Sequence, residues 1–129
     1  LDMGIAHYFL SRTGAPFDVI KGLLAENFVY LSLKRRIENS NEIAGYVPWF
    51  GTYEKINGEL DFYVRNVKNC KNYGIEVKST DEAARTGRKL LEDKKIDYLY
   101  LLKGDTLGGV AEEKVFTVLL CLVDRIILS

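Results

Sequence analysis

The chain has 129 residues, of which 47% are hydrophobic, and it carries 18 basic and 18 acidic residues. This length suits a single domain, and the apolar content is enough to build a core. The zero formal net charge argues against a free-standing, non-specific DNA-binding protein, which is usually basic. Any contact with nucleic acid must therefore come from a local patch or a partner.

The cysteines and the apolar runs indicate a cytoplasmic protein. Cys70 and Cys121 lie far apart and match no metal-ligand spacing, which predicts reduced thiols. The first residues lack the basic start and long apolar stretch of a secretory signal. Val115–Leu128 is interrupted by Asp124 and Arg125, so no membrane span is expected.

Two helices are predicted at the start of the chain. Asp2–Ser11 can form one or two helical turns, with Asp2 as the N-cap. Thr13–Asp18 contains a glycine and a proline and is predicted to be a loop. Val19–Arg36 has apolar residues at helical spacing and gives the strongest helix prediction.

Glu26 is unusual because it shares a side of this helix with Val29, Tyr30 and Leu33. A carboxylate that faces an apolar surface is costly unless it has a partner. Two interpretations remain open. Glu26 either belongs to the first turn of the helix, near the favourable N-terminal dipole, or reaches a charged patch elsewhere.

Three strands are predicted next. Gly45–Lys55 is aromatic and is predicted to be a strand, and its proline suggests an edge strand, a strand start or a bulge. The pair Asn57-Gly58 is a hairpin turn signal. Beyond it, Glu59–Val64 and Tyr73–Lys78 alternate with period two and are predicted to pair as an antiparallel hairpin.

The hairpin prediction places Val64 opposite Tyr73 and therefore Asp61 opposite Glu76, with Lys78 two residues along on the same side. Strand alternation assigns the remaining side chains to faces. One face is predicted to hold Leu60, Phe62, Val64, Tyr73, Ile75 and Val77, and the other Glu59, Asp61, Tyr63, Gly74, Glu76 and Lys78.

Facing carboxylates destabilise a sheet, and a bound divalent cation would remove that cost. Oxygen ligands suit Mg²⁺, which takes one or two carboxylates and completes its shell with water and phosphate oxygens. Asp61 and Glu76 are therefore candidate metal ligands, and Lys78 could orient water or stabilise developing charge. The alternative is a solvated sheet face with ordinary charges.

A further helix is predicted from Thr80 or Asp81 to about Lys94. Its middle carries a basic group, and two interpretations of this group stay open. It forms a solvated helix face, or it contacts phosphates beside the hairpin. The group consists of Arg85, Arg88 and Lys89.

The last part of the chain predicts a parallel crossover. Ile96–Leu102 is a short apolar run after a helix, which indicates a buried strand of a βαβ unit. Lys114–Leu128 begins with β-branched residues and predicts a final strand. Whether its end is helical or lies in an interface is open from the pattern.

This order of elements, with Asp61 on one strand and Glu76-Val77-Lys78 on the next, resembles the PD-(D/E)xK nuclease superfamily. Longer segments resemble the C-terminal domain of unknown function of prokaryotic AAA-type ATPases. The resemblance covers roughly residues 1–102 and is carried by LDMGIAHYFL, GLLAENFVYLSLKRR, GELDFYV and YGIEVKST.

The resemblance implies one domain over residues 1–129, α/β in class, with a restriction-endonuclease-like core in which helices flank a mixed sheet. Because the chain opens on Leu1, residues 1–18 are expected to be a remnant of the segment that joins this domain to an N-terminal ATPase module. That module is the implied partner, and homo-oligomerisation is a further expectation. No membrane partner is expected.

The implied function is a Mg²⁺- or Mn²⁺-dependent phosphodiesterase that acts on DNA. The carbonyl of Val77 would join the two carboxylates as a metal ligand, Glu26 would assist, and Ser79 and Thr80 would contact phosphate. The alternative is a catalytically inactive module for DNA binding, docking or oligomerisation of the ATPase.

Overall fold

A computed structural model describes residues 2–40, 43–46, 52–53, 58–78, 84–105 and 110–128. The helices are α1 (Met3–Ser11), α2 (Phe17–Glu38) and α3 (Arg85–Glu92), and a 3₁₀ segment spans Leu120–Arg125. The strands are β1 (Ile43–Tyr46), β2 (Thr52–Tyr53), β3 (Gly58–Glu59), β4 (Phe62–Asn66), β5 (Lys71–Lys78), β6 (Tyr98–Lys103), β7 (Val110–Glu112) and β8 (Val115–Leu119).

Six strands form one mixed sheet in the order β1-β4-β5-β6-β8-β7, and β2 pairs with β3 separately. The pairs β1–β4, β4–β5 and β7–β8 are antiparallel, whereas β5–β6 and β6–β8 are parallel. The unit β5–α3–β6 is therefore the predicted parallel crossover. The prediction of a mixed sheet flanked by helices is confirmed.

The two faces of this sheet bury separate apolar cores. On one face, Val29 and Leu33 of α2 pack with Ile75 of β5. On the other face, Leu90 of α3 packs with Leu99 of β6. Alternation along β6 supplies both cores from one strand, since Tyr100 and Leu102 belong to the first core and Leu99 and Leu101 to the second.

The predicted helices exist with shifted ends. Asp2 caps α1 as expected, since its Oδ1 accepts the N–H groups of Gly4 at 2.9 Å and Ile5 at 3.3 Å. The helix α2 starts at Phe17 rather than Val19 and ends at Glu38 rather than Arg36.

The hairpin register is as predicted, with Val64 opposite Tyr73 and Phe62 opposite Ile75. The face assigned to Leu60 is wrong. The chain bends at Asp61, and Leu60 belongs to the core on the α3 side, whereas Phe62 belongs to the core on the α2 side.

The final strand predicted within Lys114–Leu128 is β8, and the end of this segment, which the sequence left open, begins with the 3₁₀ segment. Beyond β8, residues 120–128 lie on the α2-side core and bury Leu128. Two side chains hold this end by donating to backbone carbonyls: Asn66 Nδ2 donates to the Leu128 carbonyl at 2.8 Å, and the Tyr100 hydroxyl donates to the Ile127 carbonyl at 2.7 Å.

Several predictions fall on residues outside the described ranges. These include the turn residue Asn57, the phosphate contacts Ser79 and Thr80, and the proposed cap Asp81. In the part of the chain that the structure describes, no helix has both the length and the apolar character needed to cross a bilayer.

Candidate functional site

Four ionisable side chains meet where β4 begins and β5 ends. We call Glu26, Asp61, Glu76 and Lys78 the acidic cluster. The three carboxylates come from α2, from the bend before β4 and from β5, and the lysine ends β5. The structure thus brings together all four residues that the sequence predicted to be catalytic.

Asp61 occupies the place where the β4–β5 ladder stops. The last paired residues are Phe62 and Ile75. Continuing this register would place Asp61 opposite Glu76 and then Leu60 opposite Val77. The bend removes that partner, and Asp61 Oδ2 accepts the Val77 N–H at 2.6 Å instead. The carboxylate therefore satisfies a buried backbone donor and keeps its second oxygen for another ligand.

Strand geometry directs the Val77 carbonyl to the side of β5 on which Asp61 lies. In a strand the N–H and C=O of one residue point to the same side, as they do in a hydrogen-bonded antiparallel pair. The Val77 N–H points towards Asp61, so its carbonyl lies on that side too. This position is compatible with its predicted role as a ligand.

Glu76 is buried, with only 1% of its surface exposed. Its Oε1 accepts the N–H of Gly87 at 2.7 Å, and its Oε2 lies 3.4 Å from Lys78 Nζ. Gly87 is the third residue of α3, and the N-cap residue Ala84 offers this helix no side-chain cap. The Glu76 carboxylate therefore serves one of the amides left unpaired at the helix N-terminus.

Sequence reasoning missed Gly87. A Cβ on this residue would lie 2.7 Å from Glu76 Oε1 and 2.5 Å from Leu99 Cδ1. A larger residue here would therefore force the buried side chains of Glu76 and Leu99 to shift. The available signal was a glycine within a predicted helix, which often marks a close packing contact.

Glu26 lies in the third turn of α2, so the interpretation as a first-turn residue is wrong. Burial raises the pKa of its carboxyl, the neighbouring Asp61 raises it further, and Lys78 lowers it. Glu26 therefore shares the electrostatic environment of Asp61 and Lys78. This outcome agrees with the other interpretation, in which it reaches a charged patch.

All three carboxylates of the acidic cluster have raised pKa values, and burial is the largest cause in each. Lys78 and the Gly87 N–H lower the pKa of Glu76, but they do not outweigh its burial. The hydrogen bond from Val77 and the charge of Lys78 likewise lower the pKa of Asp61 without reversing its shift. The charge of Lys78 thus acts on three desolvated carboxylates without cancelling the effect of their burial.

The donor set fits a hard cation by chemistry, because carboxylate and carbonyl oxygens are the ligands of Mg²⁺ and Mn²⁺. A cation would also offset the burial of negative charge. Over the described ranges, no three acidic, histidine or cysteine side chains are already grouped as a ready metal site. Asp61 and Glu76 would hold the metal with their second oxygens, together with the Val77 carbonyl.

The predicted basic group on α3 is drawn largely into ion pairs. Arg88 Nη1 lies 2.7 Å from Glu112 Oε2. Lys89 Nζ lies 3.4 Å from both Glu92 and Asp93, and Arg85 is exposed. These are surface pairs of small energetic value, so the two interpretations of the group both remain predictions.

The chain was compared with protein-family models, with curated proteins and with solved structures, and none of the three comparisons gave a match.

Proposed function

We propose that this chain is a nuclease-like domain with a restriction-endonuclease-like core that hydrolyses phosphodiester bonds in DNA with Mg²⁺ or Mn²⁺. One observation carries the proposal. Asp61, Glu76 and Lys78, which the sequence predicts as a catalytic set, lie together with Glu26 at one end of the sheet.

The electrostatic state of the acidic cluster supports a cation-binding role. Lys78 lowers the pKa of all three half-buried or buried carboxyls, but burial is the larger effect and raises the pKa of each. Such an excess of desolvated negative charge is costly to the fold. Perturbed carboxyl groups of this kind are enriched at functional sites.

Each residue has a distinct part in the proposed reaction. When bound, a divalent cation would polarise the phosphodiester and lower the pKa of an attacking water. Asp61 and Glu76 hold their positions through backbone amides of Val77 and Gly87. Lys78, whose side chain is 24% exposed, can reach a phosphate oxygen or orient the water.

Glu26 approaches from the other side of the sheet, on α2. Because it shares the field of Asp61 and Lys78, it can accept a hydrogen bond from a water placed between them. We assign it an assisting role, since among the described residues the Asp61 and Glu76 carboxylates accept backbone N–H groups and the Glu26 carboxylate does not.

Incubation with single- and double-stranded DNA in the presence of Mn²⁺ tests the proposal. We expect wild type to cleave and both Asp61→Ala and Lys78→Ala to lose at least about a hundredfold in rate, the scale of one lost catalytic group. Lys95→Ala is the matched control, because Lys95 is exposed at the far end of the sheet. Cleavage that persists in both cluster variants would refute the assignment.

A non-catalytic module is the second candidate. Asp61 and Glu76 each use one oxygen on a backbone amide, so both side chains also serve the fold. Such a module would bind DNA, dock or oligomerise for a neighbouring ATPase, and one that binds DNA should hold it equally well in EDTA and in Mg²⁺. A metal-centred site should bind DNA more weakly in EDTA.

A further inference from the structure

Lys103, the last residue of β6, lies beside the acidic cluster and was not predicted as part of it. The strands β5 and β6 are parallel, and their register pairs Lys78 with Lys103. Neighbouring strands are roughly 5 Å apart, and paired residues send their side chains to the same face. The side chains of Lys78 and Lys103 therefore project from the same face of the sheet, next to each other.

The face is the one that carries Glu76. Leu101, two residues before Lys103, is opposite Glu76 in the register and belongs to the core on the α3 side. Lys103 thus follows Leu101 on that side of β6, as Lys78 follows Glu76 on β5. Lys103 is half-buried, so its stem lies against the protein.

This position is at the carboxyl ends of parallel strands. Ligands of open α/β sheets bind at that edge, outside the ends of the strands. On its other side Lys103 pairs with the apolar Leu119, so the positive charge at this edge is concentrated on β5 and β6.

We propose that Lys103 binds a phosphate of the DNA backbone next to the phosphodiester held at the acidic cluster. The identity of the ligand rests on the proposed function. A lysine suits this task because its ammonium acts as a point charge towards phosphate. A DNA strand that crosses the ends of β5 and β6 presents successive phosphates to Lys78 and Lys103.

The experiment is a titration of a fluorescent DNA oligonucleotide at several salt concentrations. The titration buffer contains Ca²⁺ in place of Mg²⁺, because Ca²⁺ also binds oxygen ligands. We expect Lys103→Ala to weaken binding on the order of tenfold at low salt and to reduce the slope of log K against log salt by about one. Lys103→Met keeps the apolar stem and should show the same loss, which separates charge from packing.

Lys95→Ala is the matched control, since Lys95 precedes the opposite end of β6 and is exposed. Its binding and salt slope should equal those of wild type. Lys103→Arg should restore most of the affinity. The inference is overturned if Lys103→Ala or Lys103→Met keeps the wild-type slope, if Lys95→Ala loses as much, or if wild type binds no DNA.

The failure of this inference is distinguishable from the failure of the proposed function. If wild type cleaves DNA and Lys103→Ala binds as wild type does, only the role of Lys103 is lost. If Lys103→Ala weakens binding while wild type shows no cleavage, the phosphate contact stands and the nuclease activity is lost.

Discussion

The two ends of β5 contain similar polar groups but balance their charges differently. At the amino end, Asp97 Oδ2 accepts the Asn72 N–H at 2.8 Å and its Oδ1 lies 3.9 Å from Lys71 Nζ. The Tyr63 hydroxyl donates to Asn72 Oδ1 at 2.6 Å. One carboxylate thus faces one ammonium. At the carboxyl end, three carboxylates of the acidic cluster face Lys78.

The contacts at the amino end of β5 stabilise the fold, whereas the charges at its carboxyl end destabilise it. The amino end joins β4, β5 and the start of β6 with groups that satisfy one another, so it needs no ligand. The carboxyl end buries more negative than positive charge, and the pKa values of its carboxyls are raised by burial. A protein keeps such an imbalance where it serves a function.

The largest effect is expected from Gly87→Ala, which removes the space between α3 and the acidic cluster. The new Cβ would meet Leu99 Cδ1 and Glu76 Oε1 at 2.5 and 2.7 Å. Overpacking of this kind costs about 1–3 kcal/mol, and we expect about 2 kcal/mol of lost unfolding free energy in urea titrations. Metal-dependent cleavage should fall as well, because Glu76 is displaced.

Gly22→Ala is the matched control for this substitution. A Cβ on Gly22 meets no atom within 4 Å, and alanine is favoured over glycine within a helix by about 1 kcal/mol. This variant should be as stable as wild type or more stable. Equal stability of the two alanine variants would show that α3 moves away from Glu76 without cost.

The next effect is a pH dependence carried by Glu76. Its folded-state pKa is raised above the ordinary value of 4.5, so the folded state binds the proton more tightly than the unfolded state. The stabilisation that this tighter proton binding gives the folded state is fully present below pH 4.5, and it is lost as pH rises through the raised folded pKa of Glu76. In EDTA, Glu76→Gln should therefore gain stability relative to wild type as pH rises.

Urea unfolding of both proteins from pH 4 to pH 8 measures this difference. The comparison with Glu76→Gln cancels other groups, such as Glu112, whose pKa is lowered by Arg88 and which acts in the opposite direction. A difference that shrinks with rising pH would mean that the ion pair with Lys78 outweighs the burial of Glu76.

Much of this site follows from local sequence, because strand alternation is a short-range property. The pairing of Val64 with Tyr73 and the common face of Glu76 and Lys78 needed only period two and one hairpin. Leu60 departs from the strand alternation because of a packing contact with another strand. It lies over Gly74, where an added Cβ would be 3.4 Å from Leu60 Cδ1, and this requires the bend at Asp61.

The missed residues depend on contacts between distant elements. The bond from Gly87 to Glu76 exists only because α3 packs on β5, and helix periodicity does not show which amide faces a carboxylate. The position of Lys103 follows from the register of β5 with β6. That register is set by the crossover through α3 and by packing in two cores, which single-strand patterns do not report.

The smallest effects should have opposite signs at the two ends of β5. Asp61→Asn keeps an oxygen that can accept the Val77 N–H and removes one of the clustered charges. We expect a gain of about 0.5–1 kcal/mol in unfolding free energy in EDTA, the scale of one cross-strand pair. Tyr63→Phe removes the donor to Asn72 and should lose about 0.5–1 kcal/mol.

Asp61→Ala separates the charge of this carboxylate from its hydrogen bond. It removes both, so the Val77 N–H loses its acceptor and stability should fall below that of Asp61→Asn by about 1 kcal/mol. Added Mn²⁺ should stabilise wild type by mass action, and Asp61→Asn less, because the variant binds the cation more weakly. If Asp61→Asn proves less stable than wild type in EDTA, the negative charge of Asp61 itself holds the fold together. The carboxyl end of β5 would then be balanced like the amino end, and the physical argument for a cation there would fail.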